Sequence, residues 1–103
     1  MVEAKLFSAL GDPSRLEIVR RLSSGAPYTI TTLLKGLKIT RQGGRKHLQI
    51  LADARVVKLK PKGRDTAVSL NHETLDQAKV FIEKLERQWD QRLEDLRRFV
   101  DGQ

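Results

Sequence analysis

The sequence predicts a mainly α-helical domain carrying a small β-hairpin. Three observations point there. Apolar residues recur at helical spacing through five stretches. One stretch, "RVVKLKPKGRDTAVSLN" (residues 55–71), switches instead to a period of two around a turn. The full length of 103 residues matches one domain, 1–103, with a modest core that makes a dimer partner a reasonable expectation.

Residues 3–10 form a short first helix with Leu6, Phe7 and Leu10 on one side. In "GDPSRLEIVRRLSSG" (11–25), Asp12 is a good N-cap, Pro13 sits at the first helical position and Gly25 ends the helix. Leu16, Ile18, Val19 and Leu22 are its expected core positions. "YTITTLLKGLKIT" (28–40) carries a shorter helix, capped by Thr31 or by Thr29 and ending near Gly36. Leu37 and Ile39 bracket a tight turn, after which Thr40 caps a fourth helix. That helix, in "TRQGGRKHLQIL" (40–51), places Leu48 and Leu51 on one face but Gly43 and Gly44 in its first turn. Two helices joined by so short a turn form a helix-turn-helix.

Val57 and Leu59 then alternate with Lys58 and Lys60, "KGRD" turns the chain, and Val68 and Leu70 lie on the return strand. Pro61 is tolerable because both strands of a two-stranded ribbon are edges. A helix-turn-helix followed by a basic hairpin is a winged helix-turn-helix. From Asn71, a plausible cap, the chain is helical to about Val100, and 72–100 is the expected dimerisation helix. Ala78, Phe81, Ile82, Leu85, Trp89, Leu93, Leu96 and Val100 mark one apolar stripe. From Leu75 this helix runs roughly 40 Å, longer than so small a domain covers, so the excess is expected to pack on a second copy. Trp89 belongs to that interface or lines a ligand cavity.

Of the net charge of +7, the segment from Lys35 to Arg64 holds ten Lys/Arg against one acid, Asp53. That block is +9 and the remainder −2, an asymmetry that suggests a polyanionic partner. The absence of cysteine excludes disulfides, thiolate zinc sites and thiol redox chemistry. No signal-like amino terminus and no apolar run near ~18 residues occur, so a cytoplasmic protein without a membrane span is expected. His47 and His72 lie far apart, with no nucleophile–base constellation and no phosphate-cradling glycine loop. An enzyme is therefore the weakest reading, and no cofactor is expected. His47 and Arg15 read as packed or paired helix residues.

"LFSALGDPSRLEIVRRL" resembles the opening of the ArsR family of bacterial winged-helix repressors, "LKITRQGGRKHLQILADARVV" its turn and recognition helix, and "KGRDTAVSLN" its wing. The resemblance spans about residues 4–100 and is closest to members without cysteine metal sites. It implies a symmetric dimer joined by the first and last helices, and sequence-specific repression relieved by an inducing signal. The family's Cys-x-Cys pair is absent and His72 is the lone histidine near the last helix, so no metal site is expected. An Asp90–Glu94 pair reads as a solvated face. The residues name no inducing ligand.

On that resemblance the partner is a double-stranded DNA operator with inverted-repeat symmetry, and the fourth helix enters its major groove tip first. Arg41 and Arg45 can each donate two hydrogen bonds to guanine, and Gln42 can pair with adenine. Lys46, Lys38 and Lys35 suit phosphate, and Thr40 caps the helix, contacts phosphate or both. Gly43 and Gly44 either admit the backbone close to DNA, in a turn that tightens on binding, or are neutral replacements at a fraying end. Lys62 and Arg64 flank the wing tip. Together with Lys58 and Lys60 they contact DNA or keep a strand edge charged. Leu6, Phe7, Leu10, Phe81, Ile82, Leu85, Trp89, Leu93 and Leu96 are the expected dimer interface. The rival reading is a dimerising adaptor whose basic face binds an acidic protein.

Overall fold

A computed structural model describes residues 2–102. Helices α1 (Val2–Leu10) and α2 (Pro13–Leu22) are followed by a two-residue strand β1 (Tyr28–Thr29) and the single-turn helix α3 (Ile30–Leu33). Helix α4 (Arg41–Asp53) leads into the hairpin β2 (Val57–Lys62) and β3 (Asp65–Leu70), and α5 (His72–Gly102) closes the chain.

The local chemistry accounts for the boundaries. Asp12 Oδ2 accepts from the N–H groups of Ser14 (2.9 Å) and Arg15 (3.1 Å), and Pro13 opens α2 where its missing N–H is harmless. Thr29, not Thr31, caps α3: Thr29 and Thr32 exchange side-chain-to-backbone bonds in a capping box. Gly36, just past α3, takes φ +81°, a left-handed geometry that glycine adopts without steric cost. At the end of α4 the N–H of Val56 reaches the Leu51 carbonyl and that of Arg55 the Ala52 carbonyl, both at 2.9 Å. This is the double bond pattern that closes many helices, and it normally places glycine where Arg55 now sits at φ +60°.

The sheet has the order β1-β3-β2, all antiparallel. Tyr28 pairs with Val68 and Thr29 with Ala67, so β3 is central and only β2 of the hairpin remains an edge. That corrects the expectation of a two-stranded ribbon. A two-residue strand leaves no period to detect. Pro61 lies on the edge strand β2, where it is tolerated. Lys62 pairs with Asp65 across a two-residue loop in which Gly63 takes φ +61°.

The core is built from Leu6, Ile18, Leu33, Leu48, Leu51 and Val56, all fully buried. Two expectations are corrected. Leu16 is 52% exposed, because α2 turns Ile18 and Leu22 inward and a residue two places before Ile18 points away. Leu6 has no accessible surface, so it packs inside its own protomer and offers nothing to a dimer contact. Phe7 and Leu10 are half-buried against the core, and the Phe7 and Phe81 rings meet at 5.7 Å, joining α1 to α5. Beyond Phe81 every described residue of α5 is exposed. The 31-residue helix is about 46 Å long and carries the molecule to a length of 69 Å.

Candidate nucleic-acid interface

Thr40 shapes the tip of α4. Its Oγ1 accepts from the Gly43 N–H at 2.9 Å, and its carbonyl accepts from the Gly44 N–H at 2.8 Å. The N–H groups of Arg41 and Gln42 precede the first intrahelical bonds and point out of the helix end, where the dipole is positive. The first turn is thus a regular capped turn. Arg41, Gln42, Arg45 and Lys46 are all exposed around it.

The glycine pair divides. Gly44 is buried, and a Cβ there would lie 2.5 Å from Leu34 Cδ1 and 3.2 Å from Leu34 Cγ. Its missing side chain lets α4 seat against the residue that follows α3, so the glycine has a packing reason within the protomer and is not a neutral replacement at a fraying end. A Cβ on half-buried Gly43 would come 3.0 Å from the capping Thr40 Oγ1. That position has a local reason of its own.

The turn before α4 is held from α2. Arg21 Nη1 donates to the carbonyls of Leu33 (3.0 Å) and Lys35 (2.5 Å), which satisfies the end of α3 and fixes the path into Thr40. Glu17 pairs with Arg21 at 3.3 Å and with Arg20 at 2.6 Å. The Arg20 hydrogen bond, helped by Arg21, holds the Glu17 carboxyl down at about 2. Arg15 ties three helices: its Nε donates to the Ala9 carbonyl at 2.6 Å and its Nη1 lies 3.1 Å from His47 Nδ1. The Arg15 backbone bond to Asp12, then the nearby His47, lower the Asp12 carboxyl despite the cost of burial.

The wing presents Lys58, Lys60 and Lys62 on one face of β2, with Arg64 at the turn, all exposed. Leu59, on the other face, is also 36% exposed, so only Val57 of β2 reaches the core. The Asp65 carboxyl is lowered chiefly by the Thr66 N–H at 2.8 Å and then by the Thr31 hydroxyl. Lys35 and Lys38 are exposed on the turn. Among the described residues, no Lys or Arg side chain between Lys35 and Arg64 makes an ion pair or a hydrogen bond. The one acid of the block, Asp53, accepts from Gln49 Nε2 at 2.8 Å.

Gln49, not among the residues expected at the interface, is exposed. It follows Gln42 and Lys46 at i+7 and i+3, so the three form one outward row on α4. Helical spacing was the available signal. Among the described residues no three His, Asp or Glu side chains gather as a metal site, and no helix is long and apolar enough to cross a membrane.

A short helix, a pinned turn and a cation-tipped second helix beside a basic wing define a winged helix-turn-helix DNA-binding protein. The profile of the family described as Helix-turn-helix domain matches residues 10–60. The HTH-type transcriptional regulator YuzN of Bacillus subtilis (strain 168) is 38% identical over 76 residues, 68% of this chain and 83% of its own. The HTH-type transcriptional regulator Rv2034 of Mycobacterium tuberculosis is 28% identical over 99 residues, 96% of this chain and 89% of its own. Among solved structures, an ArsR-like transcriptional regulator from Rhodococcus sp. RHA1 superposes with a TM-score of 0.84 at 26% identity, covering 99% of this chain and 95% of that one. The chain belongs to the helix-turn-helix transcriptional regulators, and its fold is similar to that of ArsR-like members. It is a DNA-binding regulator, and the adaptor reading gains no support from these relatives.

Proposed function

We propose that the protein is a homodimeric repressor that acts in the cytoplasm on an inverted-repeat operator in double-stranded DNA. One observation supports this reading: none of the ten cations of the Lys35–Arg64 block, which include the tip of α4 and the wing, is held in an ion pair within the protomer. Arg41, Gln42 and Arg45 read base edges from the amino-terminal turn of α4, where bidentate contacts supply discrimination. Thr40 and the N–H groups it leaves unbonded, with Gly43 beside them, meet a phosphate. Lys35, Lys38 and Lys46 fix the register on the backbone, and Lys58, Lys60, Lys62 and Arg64 extend the contact along it.

A second copy pairs through α1 and α5. Phe7, Leu10 and Phe81 form the shoulder of that interface, and Ile82, Leu85, Trp89, Leu93 and Leu96 form its length. Trp89 serves as interface core. Two recognition helices then address half-sites about 34 Å apart or a multiple of that. No cofactor, metal or catalytic residue enters the mechanism.

Selection of bound sites from random duplex DNA tests this reading. An inverted repeat should emerge, and Arg41→Ala or Gln42→Ala should each relax preference at one position per half-site, by about 1–3 kcal/mol. Enrichment of no sequence, or the same sequence from both variants, contradicts the assignment. A reporter driven from a promoter overlapping the selected site then separates repression from activation.

A further inference from the structure

The start of α5 has no side chain over its first N–H groups. Its first intrahelical bond runs from the Leu75 N–H to the Asn71 carbonyl at 3.2 Å. Among the described residues nothing accepts from the N–H groups of His72, Glu73 and Thr74, and the side-chain amide of Asn71, the expected cap, makes no hydrogen bond. Asn71, Glu73 and Thr74 wall one side of a cleft of about 490 Å³ that lies between the start of α1, the end of α4 and the start of α5. Thr74 is only 4% exposed, yet its hydroxyl also makes no hydrogen bond. No fully enclosed side-chain oxygen or nitrogen lacks a partner, so the little surface Thr74 keeps includes that hydroxyl, and the cleft is what it faces. A polar group so deeply placed is normally paired.

Arg55 adds an independent observation. It lines the same cleft while holding φ +60°, a geometry glycine would adopt without strain. Its guanidinium is in no ion pair or hydrogen bond within the protomer. Strain retained for the sake of an unengaged side chain points to a use for that side chain. Lys5 brings a second unpaired cation from α1, and Asp53 and Glu73 complete the charged lining, so the four charges sum to zero.

We propose that this cleft binds a small zwitterion, a free amino acid. Its carboxylate meets the open N–H groups of α5, the Thr74 hydroxyl and the Arg55 guanidinium, with Lys5 beside them. Its ammonium meets Glu73, since Asp53 is already engaged by Gln49. The balanced lining disfavours a polyanion, which both acids would repel. An apolar ligand would leave the Thr74 hydroxyl and the helix end unpaired. The site lies at the opposite end of α4 from the proposed DNA-reading tip, so its test needs no DNA and leaves that reading untouched.

The full chain, labelled with nitrogen-15 and titrated with each genetically encoded amino acid to about 10 mM at constant ionic strength, provides the test by amide NMR. At least one amino acid should shift the Glu73 and Thr74 N–H resonances saturably. Its N-acetyl and carboxamide forms, each lacking one charge, should bind about tenfold or more weakly. Arg55→Gly, which relieves the backbone and so keeps the fold, and Thr74→Val should each raise the dissociation constant about tenfold, while Thr74→Ser retains binding. The proposal is overturned if no amino acid moves those resonances. It is equally overturned if the N-acetyl form, or either weakened variant, binds as tightly as the parent pair.

Discussion

Arg55 occupies a backbone position that favours glycine, at φ +60°, in the cap that joins α4 to the wing. A left-handed conformation costs an ordinary residue roughly 1–2 kcal/mol, part of which glycine's larger unfolded entropy offsets. Arg55→Gly should therefore stabilise the fold by about 1 kcal/mol, raising the melting temperature by several degrees in a chain of this size. Gly44 presents the opposite case. Its absent side chain makes room for Leu34, so Gly44→Ala should destabilise by about 1 kcal/mol once the helix-propensity gain is subtracted from the overpacking. In a Leu34→Ala background the same change should become stabilising, and a urea-denaturation double-mutant cycle reads the difference.

Glu17 gives the residue-scale prediction for pH. Its folded carboxyl sits near 2 against an ordinary 4.5, held there by Arg20 and then Arg21. A depressed folded pKa means stability fully present above the unfolded value and lost as pH falls from 4.5 towards 2. Glu17→Gln should flatten that part of the acid limb in urea midpoints measured across the window. The lowered Asp12 and Asp65 carboxyls leave a residual slope of the same sign.

At the scale of elements, the α3–α4 turn depends on one side chain from α2. Arg21 meets both the Leu33 and Lys35 carbonyls, and hydrogen bonds to a charged group contribute about 1.5–3 kcal/mol each at most. Arg21→Ala should cost about 2 kcal/mol by chemical denaturation and weaken operator binding beyond that loss, since the turn aims the α4 tip. Arg21→Lys should restore only part of it: an ammonium can also serve two carbonyls from one nitrogen, as Nη1 does, but it lacks the separate Nε–H that meets Glu17.

Elements with strong local chemistry are legible in the sequence. Asp12–Pro13, Thr40 and the "KGRD" turn each carry a mechanism within four residues, and each stands where expected. The stripe of α5 was equally plain. What escaped depends on contacts distant in sequence. Strand β1 exists only because Tyr28 and Thr29 meet Val68 and Ala67. Gly44 is explained by Leu34, ten positions earlier, and Leu6 leaves the expected interface because it is fully enclosed within its own protomer. Helical spacing marks a face as apolar, but it does not say whether the protomer or its partner covers that face. Of the candidate site, the exposed cations were readable as residue types in a block. Their freedom from internal ion pairs and the Arg21 brace beneath them required the fold.

For the whole molecule, charge and shape divide the labour. The +9 block gathers the recognition tip and wing, while the rest of the chain is −2 and includes a projecting helix suited to self-association. On the proposed reading, such a distribution draws the molecule to duplex DNA through counterion release, with sequence choice left to a few side chains at the α4 tip. The most direct measurement is the affinity for a selected inverted-repeat duplex across about 50–200 mM salt. The account predicts a straight fall of log affinity against log salt, with a slope of about 0.9 per phosphate neutralised and six or more phosphates per dimer. A flat response, or equal affinity for heparin at every salt concentration, would contradict it.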